Sequence, residues 1–541
     1  MASGFLSWFR VGSVYACILL VVCAPARSQD QQAHWEEVTL AAGKAYQDRN
    51  FPEAEKLFTQ ALHLAQDFGP ADHRLAASLN NLAELYRQRG KYADAEPLFK
   101  RSLEAWEKVR GPQEPSIAPV LTNLAELYQQ LGRYSDAEPL LKRALEIRQV
   151  ACPAGDPRIA SSLSLLGELY RSEGRFPEAE NYFKQALELE QKSPASSGAA
   201  LAKPLGNLAE LYRAMNRYHD AEQLYARAIA IQEKTLGPDH PEVAITLNDL
   251  AELYRNEGKY AEAEPLYKRS LAIREKAFAS GDPRVTTAIN NLGLLREAQG
   301  NFTDAELHFR RVLSLREAAL GASHPDLATP LNNLAELYGR EGKYGEAEKL
   351  YKRTLEIRET AYGSEHPDVA ASLVNLAQLK QIRRKYDEAI ELQRRALAIR
   401  EKVFGAEHPT VASSLNNLGE LYFARKDFDT AMTLYERALA IREKALGPEH
   451  RAVALSLNDL ADLYSAERRY ADAEPLYARA LAIREKILGR DHPDVANVLA
   501  SYAKLLRETG RPTKADDLEQ RVRQIRAGLP KLAPRIGNPY S

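Results

Sequence analysis

Apolar and polar positions alternate along this chain in two helical runs that return every 42 residues. In one unit, Leu79, Leu82 and Tyr86 are spaced by three or four positions, which places them on the same face of a helix. Gly90 follows where a helix commonly ends, and residues 95–105 form a second amphipathic run. The pattern therefore predicts that each unit is a pair of helices joined by a short turn.

The unit repeats without insertion, so one position, here called the anchor, can be followed along the chain. Eleven steps of 42 residues separate Thr39 from Ser501, and we therefore predict 12 units. A period of roughly 20 to 50 residues is typical of a solenoid, in which each unit buries its apolar faces against its neighbours. The predicted fold is all-α, a solenoid of about 12 helix-turn-helix units. Between the two ends the anchor is occupied by Asn81, Asn123, Leu165, Asn207, Asp249, Asn291, Asn333, Asn375, Asn417 and Asp459.

The order of small and aromatic residues in each unit resembles the tetratricopeptide repeat. In one unit the residues that carry the resemblance are Ala83, Tyr86, Gly90, Tyr92, Ala95, Phe99 and Ser102. The 42-residue spacing and the connector LGxxHPxVA are most similar to the light chain of kinesin and related bacterial repeat proteins, over about residues 37–527. This resemblance implies a right-handed superhelix whose concave groove, built mainly from the first helices, binds an extended peptide.

Asparagine recurs at the anchor, although its side chain competes for backbone hydrogen bonds and disfavours helix interiors. The resemblance implies that these carboxamides face the groove and bond the backbone of a bound peptide. The alternative is that they bridge adjacent helices, and both roles can hold together. The predicted groove residues at this position are Asn81, Asn123, Asn207, Asn291, Asn333, Asn375 and Asn417.

An acidic residue recurs three positions after the anchor, on the same face of the first helix. It predicts a ligand with basic side chains. Kinesin light chains tend to carry neutral residues here, so their preference for acidic, tryptophan-containing peptides is not expected. The alternative is that the acids pair with Arg87, Arg171, Arg213 and Arg255, three residues further on. The predicted groove acids are Glu84, Glu126, Glu210, Glu252, Glu336 and Glu420, and Glu168 and Asp462 occupy the same position.

Three other recurring features are expected to be structural. An Arg-Glu pair recurs in the second helices from Arg274-Glu275 to Arg484-Glu485 and predicts ion pairs between units. Prolines such as Pro97 are expected near the opening turn of a second helix, where a missing N–H costs little. A histidine that usually precedes proline is expected at helix caps, because one ligand per layer, about 8 to 10 Å apart, cannot close a metal site. These histidines are His240, His324, His366, His408, His450 and His492.

Composition and motifs argue against chemistry and nucleic-acid binding. The chain has 73 basic and 74 acidic residues and no basic block, so no nucleic-acid partner is predicted. It has no HExxH, GxSxG or phosphate-binding loop. Ser501 and Lys504 spell SxxK, but no SDN or KTG accompanies them, so we predict no enzyme, no catalytic residue, no metal and no cofactor.

The two ends of the chain depart from the repeat. Residues 1–28 combine Arg10, an apolar run and Ala24-Pro25-Ala26, which predicts a signal peptide and an exported, periplasmic or extracellular protein. The alternatives are a membrane anchor formed by an uncleaved leader or by a lipidated Cys23; after cleavage no membrane insertion is expected. Residues 29–527 are predicted to form the solenoid, and residues 528–541 a disordered tail.

We therefore expect a non-enzymatic scaffold whose concave groove binds an extended segment of another protein. One alternative is an architectural protein that self-associates or spaces components of an envelope assembly. An enzyme acting through Ser501 and Lys504 is the remaining alternative. Fold and function are separate inferences, so each of these functions is judged on the residues of the candidate site.

Overall fold

The computed structural model describes residues 26–527 except 71, 154 and 193–197. In these residues it contains 24 α-helices, two short 3-10 helices at Gly198–Leu201 and Pro325–Leu327, and no strand. The odd-numbered helices open each pair and are called A helices; the even-numbered helices are called B helices. The A helices are α1 Ala26–Gln47, α3 His73–Gln88, α5 Ile117–Gln130, α7 Pro157–Ser172, α9 Ala202–Ala214, α11 Pro241–Asn256, α13 Pro283–Ala298, α15 Ala328–Arg340, α17 Pro367–Ile382, α19 Pro409–Ala424, α21 Arg451–Ala466 and α23 Pro493–Glu508. The B helices are α2 Phe51–Gln66, α4 Tyr92–Arg110, α6 Tyr134–Ala151, α8 Phe176–Lys192, α10 Tyr218–Leu236, α12 Tyr260–Ala277, α14 Phe302–Leu320, α16 Tyr344–Tyr362, α18 Tyr386–Phe404, α20 Phe428–Leu446, α22 Tyr470–Leu488 and α24 Pro512–Ala527.

These 12 helix pairs confirm the predicted all-α class and the helix-turn-helix unit. The predicted tail at 528–541 and residues 1–25 of the predicted leader lie outside the described residues. Residues 26–28 of that leader begin α1. Among the helices that the structure describes, none has the length and apolar character of a membrane span.

Side-chain caps mark where A helices such as α11, α13 and α17 begin. At α11, the ring Nδ1 of His240 accepts a hydrogen bond of 3.2 Å from the backbone N–H of Glu242. Pro241 occupies the first helical position, where its missing N–H would have had no partner. At the other end, Gly258 has a φ of 75° and turns the chain toward α12.

The core lies between the two helices of one pair and the A helix of the next pair. A representative cluster joins Ala251 of α11, Ala263 and Tyr267 of α12, and Leu292 and Leu295 of α13. The two alanines are fully buried and let the helices approach, while the tyrosine ring fills the space beside them. Each pair therefore completes its core only by packing on its neighbour.

Gly419 shows how tightly this packing is set. It replaces the alanine found at the same position in most units, and an added Cβ would lie 2.6 Å from the ring of Tyr435. Pro97 corrects the sequence prediction about prolines. Since α4 begins at Tyr92, Pro97 is its sixth residue and removes a hydrogen bond inside the helix, not in its opening turn.

The chain divides into two compact units between Leu169 and Tyr170, inside α7. In the first compact unit, each helix from α1 to α5 packs on the next one in sequence. In the second unit, the same holds from α8 to α23. A-helix neighbours also contact each other directly, as α3 with α5 in the first unit and α11 with α13 in the second.

Candidate peptide-binding face

We define the A face as the surface formed, within each of the two compact units, by the anchor residues of the A helices and the residues three positions after them. All predicted groove residues lie on A helices, from α3 and α5 in the first unit to α9, α11, α13, α15, α17 and α19 in the second. The buried members are Asn123, Glu210 and Asn417, and the others are half-buried. The A face is thus polar, and its side chains are only partly exposed to solvent.

Three anchor asparagines bridge neighbouring A helices. In each case Nδ2 donates to the carboxamide Oδ1 of the residue 43 positions earlier, one place before the preceding anchor. These bonds join Asn123 to Asn80 at 3.0 Å, Asn291 to Asn248 at 2.7 Å, and Asn333 to Asn290 at 2.6 Å. The bridging alternative is therefore confirmed at these positions. Each bridging asparagine uses one of its two N–H donors in this bond.

The other four anchor asparagines make no such bridge. Asn81, Asn207 and Asn375 form no side-chain hydrogen bond with the residues that the structure describes. Asn417 is 7% exposed, and its Nδ2 also lacks a partner there. The residue 43 positions before Asn417 is Val374, which has no side-chain acceptor. These carboxamides keep their full hydrogen-bonding capacity.

Most acids of the A face are paired with arginine. Arg87 is 8% exposed and bonds Glu84 at 2.7 and 2.8 Å, and it also lies 3.2 Å from Glu126 of the next helix pair. The predicted pairing at three residues is confirmed for Glu84 and also for two further acids. The further pairs are Arg213 with Glu210 at 2.7 Å and Arg255 with Glu252 at 3.9 Å.

Glu336 pairs four residues on, with Arg340 at 3.3 Å, because Gly339 stands at the third position. Glu297 lies on the preceding A helix, α13, and its carboxylate is 3.2 Å from the same Arg340 guanidinium. Arg87 and Arg340 thus each neutralise acids on two consecutive A helices at once. This arrangement was not visible in the spacing of one helix.

The carboxylate cluster, formed by Glu420, Asp459 and Asp462, lacks this compensation. Phe423 and Ser465 occupy the positions that hold arginine in other units. Burial and the charge of Asp459 raise the pKa of Glu420 to about 7. Burial also raises the pKa of Asp459 to about 6, and it raises the pKa of Asp462. The cluster therefore holds protons at pH values where surface carboxylates are ionised.

A family model described as tetratricopeptide repeat matches ten overlapping segments that together cover residues 37–276 and 284–527. The chain belongs to the tetratricopeptide repeat family. Comparison with curated proteins returned no match.

Solved structures similar to this tetratricopeptide repeat chain include a candidate kinesin light chain from Podosopora anserina with nearly identical TPR-like repeats. One form of that protein, which carries a single substitution, is 30% identical, covers 38% of this chain and 96% of its own, and has a TM-score of 0.34. The form without the substitution is 31% identical, with coverages of 38% and 97% and a TM-score of 0.33. BtubC (BKLC) from P. vanneervenii is 26% identical, with coverages of 43% and 92% and a TM-score of 0.35.

The other recurring residues of the tetratricopeptide repeats have structural roles. Glutamates of the Arg-Glu column form the predicted ion pairs between units. The arginines do not: Arg358, for example, donates to the Asp368 carbonyl at 2.9 Å and to the Ser372 hydroxyl at 2.8 Å. Without a carboxylate beside it, burial lowers the pKa of Arg400 to about 10. The glutamate pairs are Glu275–Arg311, Glu317–Arg353, Glu359–Arg395, Glu401–Arg437, Glu443–Arg479 and Glu485–Arg521.

Five of the recurring histidines cap A helices, as predicted, and His324 caps the 3-10 helix Pro325–Leu327 that precedes α15. In each, Nδ1 accepts a hydrogen bond of 3.0 to 3.2 Å from the backbone N–H two residues later, so that nitrogen carries no proton. Burial lowers the pKa of His450 to about 4. Among the described residues, no group of three histidine, cysteine or acidic side chains is arranged so that it could hold a metal ion. In the SxxK motif, Ser501 hydrogen-bonds to Asp462, while Lys504 is exposed.

Proposed function

We propose that this chain is a protein–protein interaction scaffold that binds an extended polypeptide segment along the A face. Proteins of the tetratricopeptide repeat family are typically scaffolds without enzymatic activity. The observation that carries the proposal is the column of anchor carboxamides, of which four make no bridge between helices. A carboxamide offers both donors and an acceptor, which match the N–H and C=O groups of an extended backbone.

The spacing of the layers supports an extended ligand. Packed helices lie about 8 to 10 Å apart, and an extended chain advances about 3.3 Å per residue. One carboxamide per layer therefore meets about every third residue of a bound strand. A dodecapeptide would cover about four layers. Acids on the same face favour basic side chains in the ligand.

Asn375 offers a clean test, because it makes no side-chain hydrogen bond that its removal would break. Dodecapeptides would be selected by phage display on the full chain, and their affinity measured by fluorescence anisotropy. Asn375→Ala should weaken binding about 2- to 12-fold, the value of a typical hydrogen bond. The matched control is Asn181→Ala, at an exposed position of α8.

The proposal fails if selected peptides bind Asn375→Ala and Asn181→Ala equally well, or if no peptide is selected. Circular dichroism of both variants checks that their helices are intact. Asn333→Ala is less informative, since it also removes the bond to Asn290. The self-associating spacer keeps its own test: light scattering that shows the mass of the monomer at all concentrations would count heavily against it.

A further inference from the structure

The carboxylate cluster is assembled by two consecutive A helices. On α19, Asn416 donates through Nδ2 to Asp459 Oδ2 at 2.8 Å and also hydrogen-bonds to Glu420. On α21, Asn458 donates to Asp462 Oδ2 at 2.9 Å. Tyr477 of the B helix α22 donates to Asp462 Oδ1 at 2.5 Å. The three acids are therefore held in place by hydrogen bonds from uncharged side chains.

Nearby cations compensate the charge of the cluster only in part, without direct ion pairs. None of its three acids forms an ion pair within the described part of the chain. Three basic groups face it: Arg442 from α20, Arg484 from α22 and Lys504 from α23. Arg442 donates to the Ser456 hydroxyl at 2.6 Å and Arg484 to the Asp494 carbonyl at 2.5 Å, so both guanidiniums are already engaged. Lys504 is exposed.

Unused acceptors beside the cluster show what is missing. The Oδ1 atom of Asn416, a side chain only 2% exposed, has no hydrogen-bond partner among the described residues. The buried Oδ1 atom of Asn458 has none either. Leaving buried acceptors without donors is costly. Three carboxyl groups and two carboxamide oxygens together call for a group with several N–H donors and a positive charge.

We propose that the carboxylate cluster and the Oδ1 atoms of Asn416 and Asn458 bind one arginine side chain of the polypeptide segment held along the A face. This inference rests on the proposed function and names the chemistry of one ligand side chain at one place on the A face. A guanidinium supplies five N–H donors in a planar fork, which suits several acceptors better than the three donors of an ammonium. A lysine would bind at the same place with fewer bonds.

The charge state of the cluster makes binding depend on pH. The raised pKa values of Glu420 and Asp459 mean that both acids are largely protonated at pH 5 and ionised at pH 8. The other groups that face them are Asp462, Tyr435, Arg442, Arg484 and Lys504. Since a bound cation favours the ionised acids, binding releases protons. Affinity should therefore rise from pH 5 to pH 8.

The experiment uses the selected dodecapeptides and the full chain. Replacing the arginine of a peptide by citrulline removes the charge and keeps the shape. We expect this change to weaken binding to the unsubstituted protein at least tenfold at pH 8. The double variant Glu420→Gln, Asp462→Asn keeps only Asp459 of the cluster, so the difference between the two peptides should become much smaller than tenfold. The control Glu407→Gln, Glu449→Gln makes the same charge change at exposed positions and should keep the tenfold difference.

Three results would overturn the inference while leaving the proposed function standing: selected peptides without a basic residue, equal binding of the arginine and citrulline peptides, or equal loss in the two double variants. In each of these cases the peptides would still lose affinity with Asn375→Ala. Absence of any peptide sensitive to Asn375 overturns both proposals. Because the pH comparison uses the unsubstituted protein, it remains decisive if the cluster variant does not fold, and affinity that does not rise toward pH 8 contradicts the inference.

Discussion

Glu420→Gln should stabilise the protein at neutral and alkaline pH and have little effect at acidic pH. The folded chain raises the pKa of Glu420 from 4.5 to about 7, so it favours the protonated carboxyl. Below pH 4.5 the folded and unfolded states are both protonated, and the acid has no net effect. Between pH 4.5 and 7 the unfolded state gains stability as it ionises, and above pH 7 the full cost is present. Glutamine resembles the protonated acid and removes that cost.

The magnitude follows from the size of the pKa change. At about 1.4 kcal/mol per pKa unit, the rise corresponds to at most roughly 3 kcal/mol. Asp459 titrates with Glu420, and part of the repulsion remains as long as one acid is charged. We therefore expect a gain of about 1 to 3 kcal/mol at pH 8.

Hydrogen exchange of the amides in α19 and α21 is the appropriate measurement. A solenoid opens locally, so a whole-chain unfolding transition would dilute an effect confined to two helix pairs. After correction for intrinsic exchange, protection in Glu420→Gln should exceed that of the unsubstituted protein at pH 8 and equal it near pH 4.5. The control Glu336→Gln loses the ion pair with Arg340 and should show no gain at pH 8.

Lower protection of Glu420→Gln at pH 8, or the same gain at both pH values, would refute the reasoning. Lower protection would mean that the folded chain stabilises the ionised carboxylate. An equal gain would mean that the effect of glutamine comes from packing or hydrogen bonding and not from charge.

Gly419→Ala should destabilise the chain by about 1 to 3 kcal/mol, because its Cβ meets the Tyr435 ring, whereas Gly345→Ala, which meets open space, should not; thermal unfolding compares them. Arg87→Met should cost about 3 to 5 kcal/mol by leaving two acids without their cation, a loss of stability that thermal unfolding at pH 7 measures. For the leader, which we propose is cleaved near Ala24-Pro25-Ala26, the intact mass of protein from an exporting host should lack the first residues and carry no lipid.

The helix pairs, their caps and the polar face followed from the sequence because each depends on short-range patterns. The 43-residue bridges were also present in the sequence. Asn290 precedes the anchor Asn291, and Asn333 follows one period later, so a donor and an acceptor stand in register on adjacent helices. The anchor position alone does not reveal this pairing, because the acceptor lies one residue before it.

Other features needed the packed structure. Periodicity did not show that Arg358 turns from a carboxylate toward a backbone carbonyl of the next A helix. The charge state of Glu420 depends on its distance from Asp459 and on how much water reaches both, which no single helix reveals. Glu84 occupies the same position in its repeat as Glu420, but it is paired with Arg87. Identical positions in the repeat therefore differ in their chemistry.

The carboxamide bridges bear on how such a chain can change length. Each donor reaches one full period plus one residue toward the N-terminus. If residues 291–332 were deleted, Asn333 would stand opposite Asn248, which is again a carboxamide acceptor. Gain or loss of this whole repeat by recombination therefore preserves the contact between neighbours, whereas a deletion that is not a multiple of 42 residues would break the register.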